Sequence, residues 1–238
     1  MVSFFQVIVP SSRDSELCPP RAWEGASCLE LCSEETPGYI RHMVAETAFR
    51  SDAQFDQKGF QRWLAQRPGS DSNHYELLNG RIVTTPPAGW PHSRIAARIV
   101  GRLSAHVDQH KLGVVLESSA GYDLPSGDTL EPDVSFITDA RFAAGPKPVE
   151  GKFVKIVPDL VVEILSPSTK HRDRTEKKDA YARNGVDEYW LVDTERREVT
   201  VFRRTGRRFG PPRHCSTGRI ASKLLPELDL QVADVFDF

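Results

Sequence analysis

The sequence predicts an α/β protein with a mixed β-sheet core flanked by helices. Two strongly apolar runs, at 132–137 and 158–165, have the length and β-branched content of buried strands. A helical segment at about 172–183 follows, and after it come two more strand candidates, at 188–193 and 197–203. This strand–helix–strand order is typical of a sheet that contains parallel pairs and is covered by helices.

The elements before these runs are a short helix, a hairpin and a long helix. The short amphipathic helix is predicted from about Phe55 to Leu64, ahead of the Pro68-Gly69 stop signal. Asn79-Gly80 is the strongest two-residue turn signal and predicts a β-hairpin. Over residues 91–110, apolar residues recur every four positions, which indicates a helix that packs on the core. Further strands are expected at 113–117 and 121–124.

Composition indicates a cytoplasmic protein that does not enter a membrane. No stretch approaches the roughly 20 apolar residues that a membrane helix needs. The opening apolar run has neither a basic region before it nor a small-residue cleavage site, so no signal peptide is predicted. Three of the four cysteines lie within the first 32 residues, which does not suit a disulfide framework spread through a fold.

Residues 1–42 differ from the rest of the chain because they show no sustained helical or strand period. We expect them to be a disordered or mis-called N-terminal extension, with the native start at Met43 and a single domain over 43–238. The extension carries three basic and six acidic residues, so the remainder has a net charge of +1. A near-neutral body argues against a generic nucleic-acid coat but allows an enzyme that meets DNA through a local patch.

Glu163 is a charged residue with apolar neighbours on both sides in a predicted strand. The segment PDLVVEILSPST (158–169) surrounds it with Leu, Val and Ile, a pattern typical of a strand covered on both faces. An ionised carboxylate there is costly unless it is paired or binds a metal. The alternatives are an exposed sheet edge or a buried ion pair with an arginine.

Asp133 opens the second apolar strand, EPDVSFI (131–137). Alone, it fits an aspartate that caps local backbone equally well. Two acids that lead into neighbouring strands can share a divalent ion, and Mg²⁺ binds a few carboxylates together with waters and phosphate oxygens. Asp133 and Glu163 are therefore candidate metal ligands.

The helix at 172–183 places Asp173, Lys177 and Tyr181 on one face, because they are four residues apart. Lys178 is adjacent to Lys177 but rotated away from that face. Asn184-Gly185 supplies a C-cap signal. The plain alternative is a solvated helix with many surface charges.

Together these segments resemble the Uma family of putative restriction endonucleases, a branch of the PD-(D/E)XK nuclease superfamily. The resemblance is carried by YELLNGRIV, the Pro91-His92 pair, EPDVSFI, PDLVVEILSPST, RDRTEKKDAYARNGVDEYWLVD and LLPELDL. It runs from about Tyr75 to the C-terminus, and residues 1–42 have no counterpart. It implies a restriction-endonuclease-like mixed β-sheet flanked by helices, with acids at strand starts that hold Mg²⁺ or Mn²⁺.

The resemblance also implies roles for single residues. Asp133 matches the metal-binding aspartate and Glu163 the second acid. The superfamily pattern places a lysine two residues later, where this chain has Leu165. In this branch the lysine comes from the following helix, and Lys177 fits that place. Glu76 matches an acid in the first hairpin that completes the site.

The implied reaction is hydrolysis of DNA phosphodiester bonds. His92 matches a frequent histidine before the long helix and is a candidate nucleic-acid contact. Arg172 and Arg174 are candidate contacts to backbone phosphates, with ordinary surface arginines as the alternative. A homodimer would suit double-strand cleavage, although nothing in the sequence requires one.

Two other functions remain open. One is a catalytically inactive, nuclease-fold module that binds nucleic acid or a partner. The other is a structural protein in which Glu163 pairs with an arginine. If Asp133, Glu163 and Lys177 converge on one open cleft in the structure, the enzyme hypothesis is favoured over both alternatives. In that case we expect Glu163→Ala to abolish cleavage and to preserve or raise stability, because neighbouring carboxylates repel each other.

Overall fold

A computed structural model of the chain describes residues 49–85 and 87–238. The predicted extension at 1–42, the proposed start at Met43 and the three N-terminal cysteines lie outside the described residues. The remaining cysteine, Cys215, is a buried free thiol. Within the described ranges, no helix combines the length and the apolar character needed to cross a membrane.

The described part of the chain contains α-helices, one π-helical segment and strands. In chain order, the helices are α1 (Gln57–Leu64), α2 (His92–His110), α3 (Asp139–Ala144), α4 (Lys170–Arg172), α5 (Lys178–Asn184) and α6 (Val232–Val235). A π-helical segment, Asp173–Lys177, joins α4 to α5. The strands are β1 (His74–Leu78), β2 (Arg81–Thr85), β3 (Gly113–Glu117), β4 (Tyr122–Asp123), β5 (Thr129–Leu130), β6 (Val134–Thr138), β7 (Leu160–Ile164), β8 (Glu188–Asp193), β9 (Glu198–Thr205), β10 (Arg208–Phe209) and β11 (Arg213–Cys215).

The strands form two sheets. The larger has the order β10-β9-β8-β7-β6-β3, with β11 also paired to β9, and the smaller has the order β2-β1-β5-β4. β7 and β8 run parallel, while the other pairs within the large sheet are antiparallel. The predicted mixed sheet flanked by helices is therefore confirmed. A parallel pair needs a crossover, which the helices between β7 and β8 provide.

Both faces of the large sheet are covered, as the apolar β7 sequence predicts. On one face, Leu160, Val162 and Ile164 pack against the apolar stripe of α2. On the other face, Val161 belongs to a cluster that includes Tyr181 of α5 and Leu78 of the small sheet. Because side chains alternate along a strand, Glu163 shares this second face with Val161.

Local turn chemistry explains two of the element boundaries. Asn79 and Gly80 have φ values of 52° and 73°, the pair of positive angles that a type I′ hairpin requires. Gly185 ends α5 at φ 98°, in the left-handed conformation predicted for the C-cap. The strand expected at 121–124 is shorter than predicted and covers only Tyr122–Asp123.

Gly113 at the start of β3 has a conformational requirement of its own. Its φ is 149°, and a Cβ there would overlap the carbonyl oxygen of Ile137 on β6 and lie 2.9 Å from the amide nitrogen of Asp139. Gly113→Ala is expected to lower the free energy of unfolding by about 1–3 kcal/mol, because the backbone itself must move. Urea denaturation of purified protein measures this change.

Gly101→Ala is the matched control, since a Cβ at Gly101 in α2 meets nothing within 4 Å. Alanine is favoured over glycine within a helix, so this variant is expected to gain about 0.5–1 kcal/mol. Equal stability changes in the two variants would contradict the proposed close contact between β3 and β6.

Candidate active site

A cleft of about 710 Å³ opens at the end of β7, where Glu163 and Ile164 lie. Its polar wall is formed by β1, the start of β6, the end of β7 and the π-helical segment. Six carboxylates line the cleft: Glu76, Glu117, Glu131, Asp133, Glu163 and Asp173. Arg172 and Lys177 are the two lining residues with a permanent positive charge. The cleft therefore carries an excess of negative charge.

A larger cavity, of about 900 Å³, lies around Asp128 and Arg183. Its buried carboxylates are already hydrogen-bonded. Buried Asp128 accepts hydrogen bonds from the Asn79 amide, the Ser126 hydroxyl and the Arg183 guanidinium. Because this internal network satisfies the Asp128 carboxylate, the cavity is a weaker candidate for chemistry than the smaller cleft.

Lys177 lies at the centre of a buried ionic cluster. Its Nζ is 2.6 Å from Glu163 Oε1 and 2.8 Å from Glu76 Oε1. The Tyr181 hydroxyl, one turn further along the helix, donates to the same Glu163 oxygen at 2.9 Å. Lys177 is 3% exposed and Glu163 is 4% exposed. The structure thus brings together three residues that the sequence predicted for the site, and Lys178 lies elsewhere, over the Phe202 ring.

This pairing corrects the alternative in which Glu163 pairs with an arginine, because the partner is a lysine. It also changes the stability expected of Glu163→Ala. Removing Glu163 takes away the nearest counter-charge of a buried ammonium group, so we no longer expect a gain in stability.

Asp133 lies next to Glu163 and on the same face of the sheet. The register pairs Val134 with Val162, which puts Asp133 opposite Glu163 just beyond the paired residues. Asp133 Oδ2 accepts a hydrogen bond of 2.7 Å from the Ile164 amide and lies 3.1 Å from His92 Nε2. The two acids therefore converge on one cleft, as the enzyme hypothesis requires.

Burial and neighbouring charges shift several pKa values in the cleft. Desolvation raises the pKa of Glu163 well above its ordinary value, although Lys177 opposes the shift. Desolvation likewise raises the pKa of Asp173 to about 6. Desolvation lowers the pKa of Lys177, but the surrounding carboxylates outweigh it and hold the pKa above its usual range. Lys177 is therefore protonated at neutral pH, and the acids around it are crowded.

His74 and Glu131 are among the cleft residues that sequence reasoning missed. His74 Nδ1 lies 3.1 Å from Glu131 Oε2, and this hydrogen bond raises the pKa of His74. Strand alternation could have found both, because His74 is two residues before Glu76 and Glu131 is two before Asp133. The Glu131 amide also donates to Glu76 Oε1 at 2.9 Å, which fixes the hairpin carboxylate.

His92 and Arg172 line the cleft, whereas Arg174 is directed elsewhere. Burial lowers the pKa of His92, but the hydrogen bond with Asp133 overcomes this and raises it overall. Arg172 Nη2 donates to Thr85 Oγ1 at 2.7 Å and lies 3.9 Å from Glu76 Oε2. Arg174 donates to Asp193 at 2.6 Å and is not among the residues that line the cleft.

Over the described residues, no group of three or more His, Cys, Asp or Glu side chains is arranged to hold a metal ion. A cation in this cleft would therefore depend on two carboxylates and on oxygens from other sources. Mg²⁺ commonly binds in this way, because it keeps several waters and takes phosphate oxygens as ligands.

Comparisons with known proteins agree with this architecture. The chain superposes on the crystal structure of a putative nuclease belonging to DUF820 from Anabaena variabilis ATCC 29413 with a TM-score of 0.63 and 19% identity. The superposition covers 77% of this chain and 98% of that one, so the two share a fold. No curated protein matches the sequence. Residues 59–233 match the family described as "Uma2: Putative restriction endonuclease". This match spans most of the chain, and the protein therefore belongs to the Uma2 family.

Proposed function

We propose that the protein is a metal-dependent endonuclease that hydrolyses DNA phosphodiester bonds. The observation that carries the proposal is the convergence of Asp133, Glu163 and Lys177 on one open cleft. Membership of a family described as putative restriction endonucleases supports it, as does the likeness to a solved putative nuclease. Carboxylates crowded around one lysine lower the stability of the folded state. Clusters of ionisable groups with shifted pKa values are typical of functional sites.

Asp133 and Glu163 would hold the Mg²⁺ or Mn²⁺ ion, together with the Ile164 carbonyl, waters and substrate oxygens. The residues fit such an ion. The hydrogen bonds of Asp133 and Glu163 to described residues use Oδ2 and Oε1. Their other carboxylate oxygens therefore stay available in a cleft with excess negative charge. A bound ion would supply Lewis-acid activation of the phosphate and a water of lowered pKa.

The chain's own residues would orient and neutralise the substrate. Lys177, kept protonated by its carboxylate neighbours, is suited to stabilise charge that builds on the scissile phosphate rather than to remove a proton. Glu76 and Tyr181 hold the lysine and Glu163 in fixed positions. This rigidity matters because charged groups stabilise a transition state best when they need no rearrangement.

Arg172 would bind a phosphate at the edge of this site. Its Nε is buried and has no hydrogen-bond partner among residues 49–85 and 87–238. Buried donors without partners are rare, and a ligand that binds at the site is one explanation for such a group. A phosphate oxygen suits a guanidinium donor because the charge-assisted bond is strong.

Cleavage of plasmid and single-stranded DNA with Mg²⁺ or Mn²⁺ tests the proposal. Glu163→Gln is expected to reduce cleavage at least about 100-fold, because it removes the charge and keeps the shape. Glu150→Gln is the matched control, since Glu150 is exposed and outside the cleft, and it is expected to cleave like wild type. Undiminished cleavage by Glu163→Gln would refute the assigned site.

Calorimetric titration with Mn²⁺ separates the enzyme from the inactive binding module. The enzyme hypothesis expects Mn²⁺ binding that Asp133→Asn abolishes. Mn²⁺ binding without cleavage of any DNA, or no binding at all, would favour a module that keeps the fold without the chemistry.

A further inference from the structure

The cleft also has an apolar wall, which carries an exposed tryptophan. This wall is formed by Pro87, Ala88, Gly89, Trp90, Ala96, Ala97 and Val100. Trp90 is 69% exposed, the largest exposed fraction among the big hydrophobic side chains described. Exposed aromatic surface is unfavourable in water, and at the rim of a proposed active site it is a candidate contact for substrate.

Trp90 contacts a second exposed aromatic ring, and an arginine lies over that ring. The rings of Trp90 and Phe238 meet edge to face, with centroids 5.3 Å apart, and Phe238 is itself 47% exposed. The guanidinium of Arg197 lies over the Phe238 ring, 5.5 Å from its centroid. An aromatic row next to arginine is the composition that holds unpaired nucleobases, because each base presents a π-face to stack on a ring.

The charges of the cleft oppose a duplex more strongly than a single strand. Duplex DNA brings one negative charge per roughly 1.7 Å of its axis, twice the density of one of its strands, and proteins that bind it neutralise several phosphates with Lys and Arg. This cleft has six carboxylates and two permanent cations. A duplex also hides the faces of its bases within the stack, so the exposed Trp90 ring would find no partner in it.

We propose that Trp90 and Phe238 form a stacking platform for unpaired bases and that the substrate class is single-stranded DNA. This inference rests on the proposed nuclease function and specifies its substrate. Trp90 is assigned as a positioning residue, which holds the bases beside the scissile phosphate while Asp133, Glu163 and Lys177 act on it.

Fluorescence anisotropy in Ca²⁺ tests the platform without requiring cleavage. The probe is a labelled mixed-sequence oligonucleotide, used as a single strand and again annealed to its complement. Trp90→Ala is expected to weaken single-strand binding about tenfold, the loss typical of one base–aromatic stack. Duplex binding, expected to be weaker in wild type, should change less than about twofold.

Two further variants separate stacking from general effects. Trp90→Phe keeps an aromatic face and is expected to keep most of the single-strand affinity. Phe49→Ala removes another exposed aromatic ring, 57% exposed and outside the cleft, and is expected to bind like wild type. Addition of the single strand should also quench the Trp90 contribution to tryptophan emission, and Trp90→Phe should lack that change.

Three results would overturn the platform: unchanged single-strand binding in Trp90→Ala, an equal loss for strand and duplex, or tighter wild-type binding of the duplex. None of these depends on catalysis. If Trp90→Ala loses single-strand affinity while no variant or wild-type protein cleaves DNA, the platform stands and the nuclease proposal fails. If Glu163→Gln abolishes cleavage while Trp90→Ala binds normally, the nuclease proposal stands and the platform fails.

Discussion

Lys177→Met is expected to abolish cleavage and to lower the free energy of unfolding by about 3–5 kcal/mol. Methionine has a similar length but leaves Glu163 and Glu76 buried and facing each other without the ammonium that lies 2.6 Å and 2.8 Å from them. Breaking a buried ion pair by removing one partner costs more than the pair itself contributes, because the remaining charge stays desolvated. Since the pKa of Lys177 is raised, its charge is present throughout the neutral range.

Lys178→Met provides the control for this prediction. Lys178 is the next residue, only partly buried, and it lies over the Phe202 ring outside the cleft. Its replacement is expected to change stability by less than about 0.5 kcal/mol and to leave cleavage intact. Urea denaturation in EDTA measures stability, and cleavage of single-stranded DNA in Mn²⁺ measures activity. Equal losses in the two variants would show that Lys177 has no special place in the cluster.

Period-two and period-four patterns predicted the parts of the site that lie on regular elements. Glu163 was found because an acid in an apolar strand contradicts the pattern around it. Asp133 was then predicted because it leads into the neighbouring strand, and the observed register places Asp133 and Glu163 side by side. Lys177 required the family resemblance, since a lysine on a charged helix has an equally good explanation on the surface.

Other features carried no periodic signal. Trp90 lies in a loop, where the sequence has no repeating pattern that indicates which way a side chain points. Strands of two or three residues, such as Thr129–Leu130 and Arg213–Cys215, are too short for alternation to be recognised. The π-helical segment Asp173–Lys177 is likewise invisible to a pattern of four-residue spacing, yet it is where both buried charges of the helix lie. Such segments are frequent at functional sites.

Asp173→Asn is expected to stabilise the metal-free protein at neutral pH and to have no effect at pH about 4. Burial raises the pKa of Asp173 from 3.8 to about 6, against the opposing charge of Lys177. Between these two values the folded state binds more protons than the unfolded state. The stability contributed by the protonated group is therefore lost as the pH rises through this window, by up to about 3 kcal/mol. Asparagine is neutral at every pH, so the variant does not suffer that loss.

The measurement is the difference in unfolding free energy between Asp173→Asn and wild type, taken in EDTA from pH about 4 to pH about 8. Asp179→Asn is the control, because Asp179 is exposed on the same helix and its difference is expected to stay below about 0.5 kcal/mol throughout. Mn²⁺ should stabilise wild type more above pH about 6 than below it, because a cation binds ionised carboxylates and competes with protons for them. A difference that stays flat across this window would contradict the pKa of Asp173 that burial raises to about 6. An equal effect of Mn²⁺ above and below pH about 6 would contradict competition between the cation and protons for the carboxylates of the cleft.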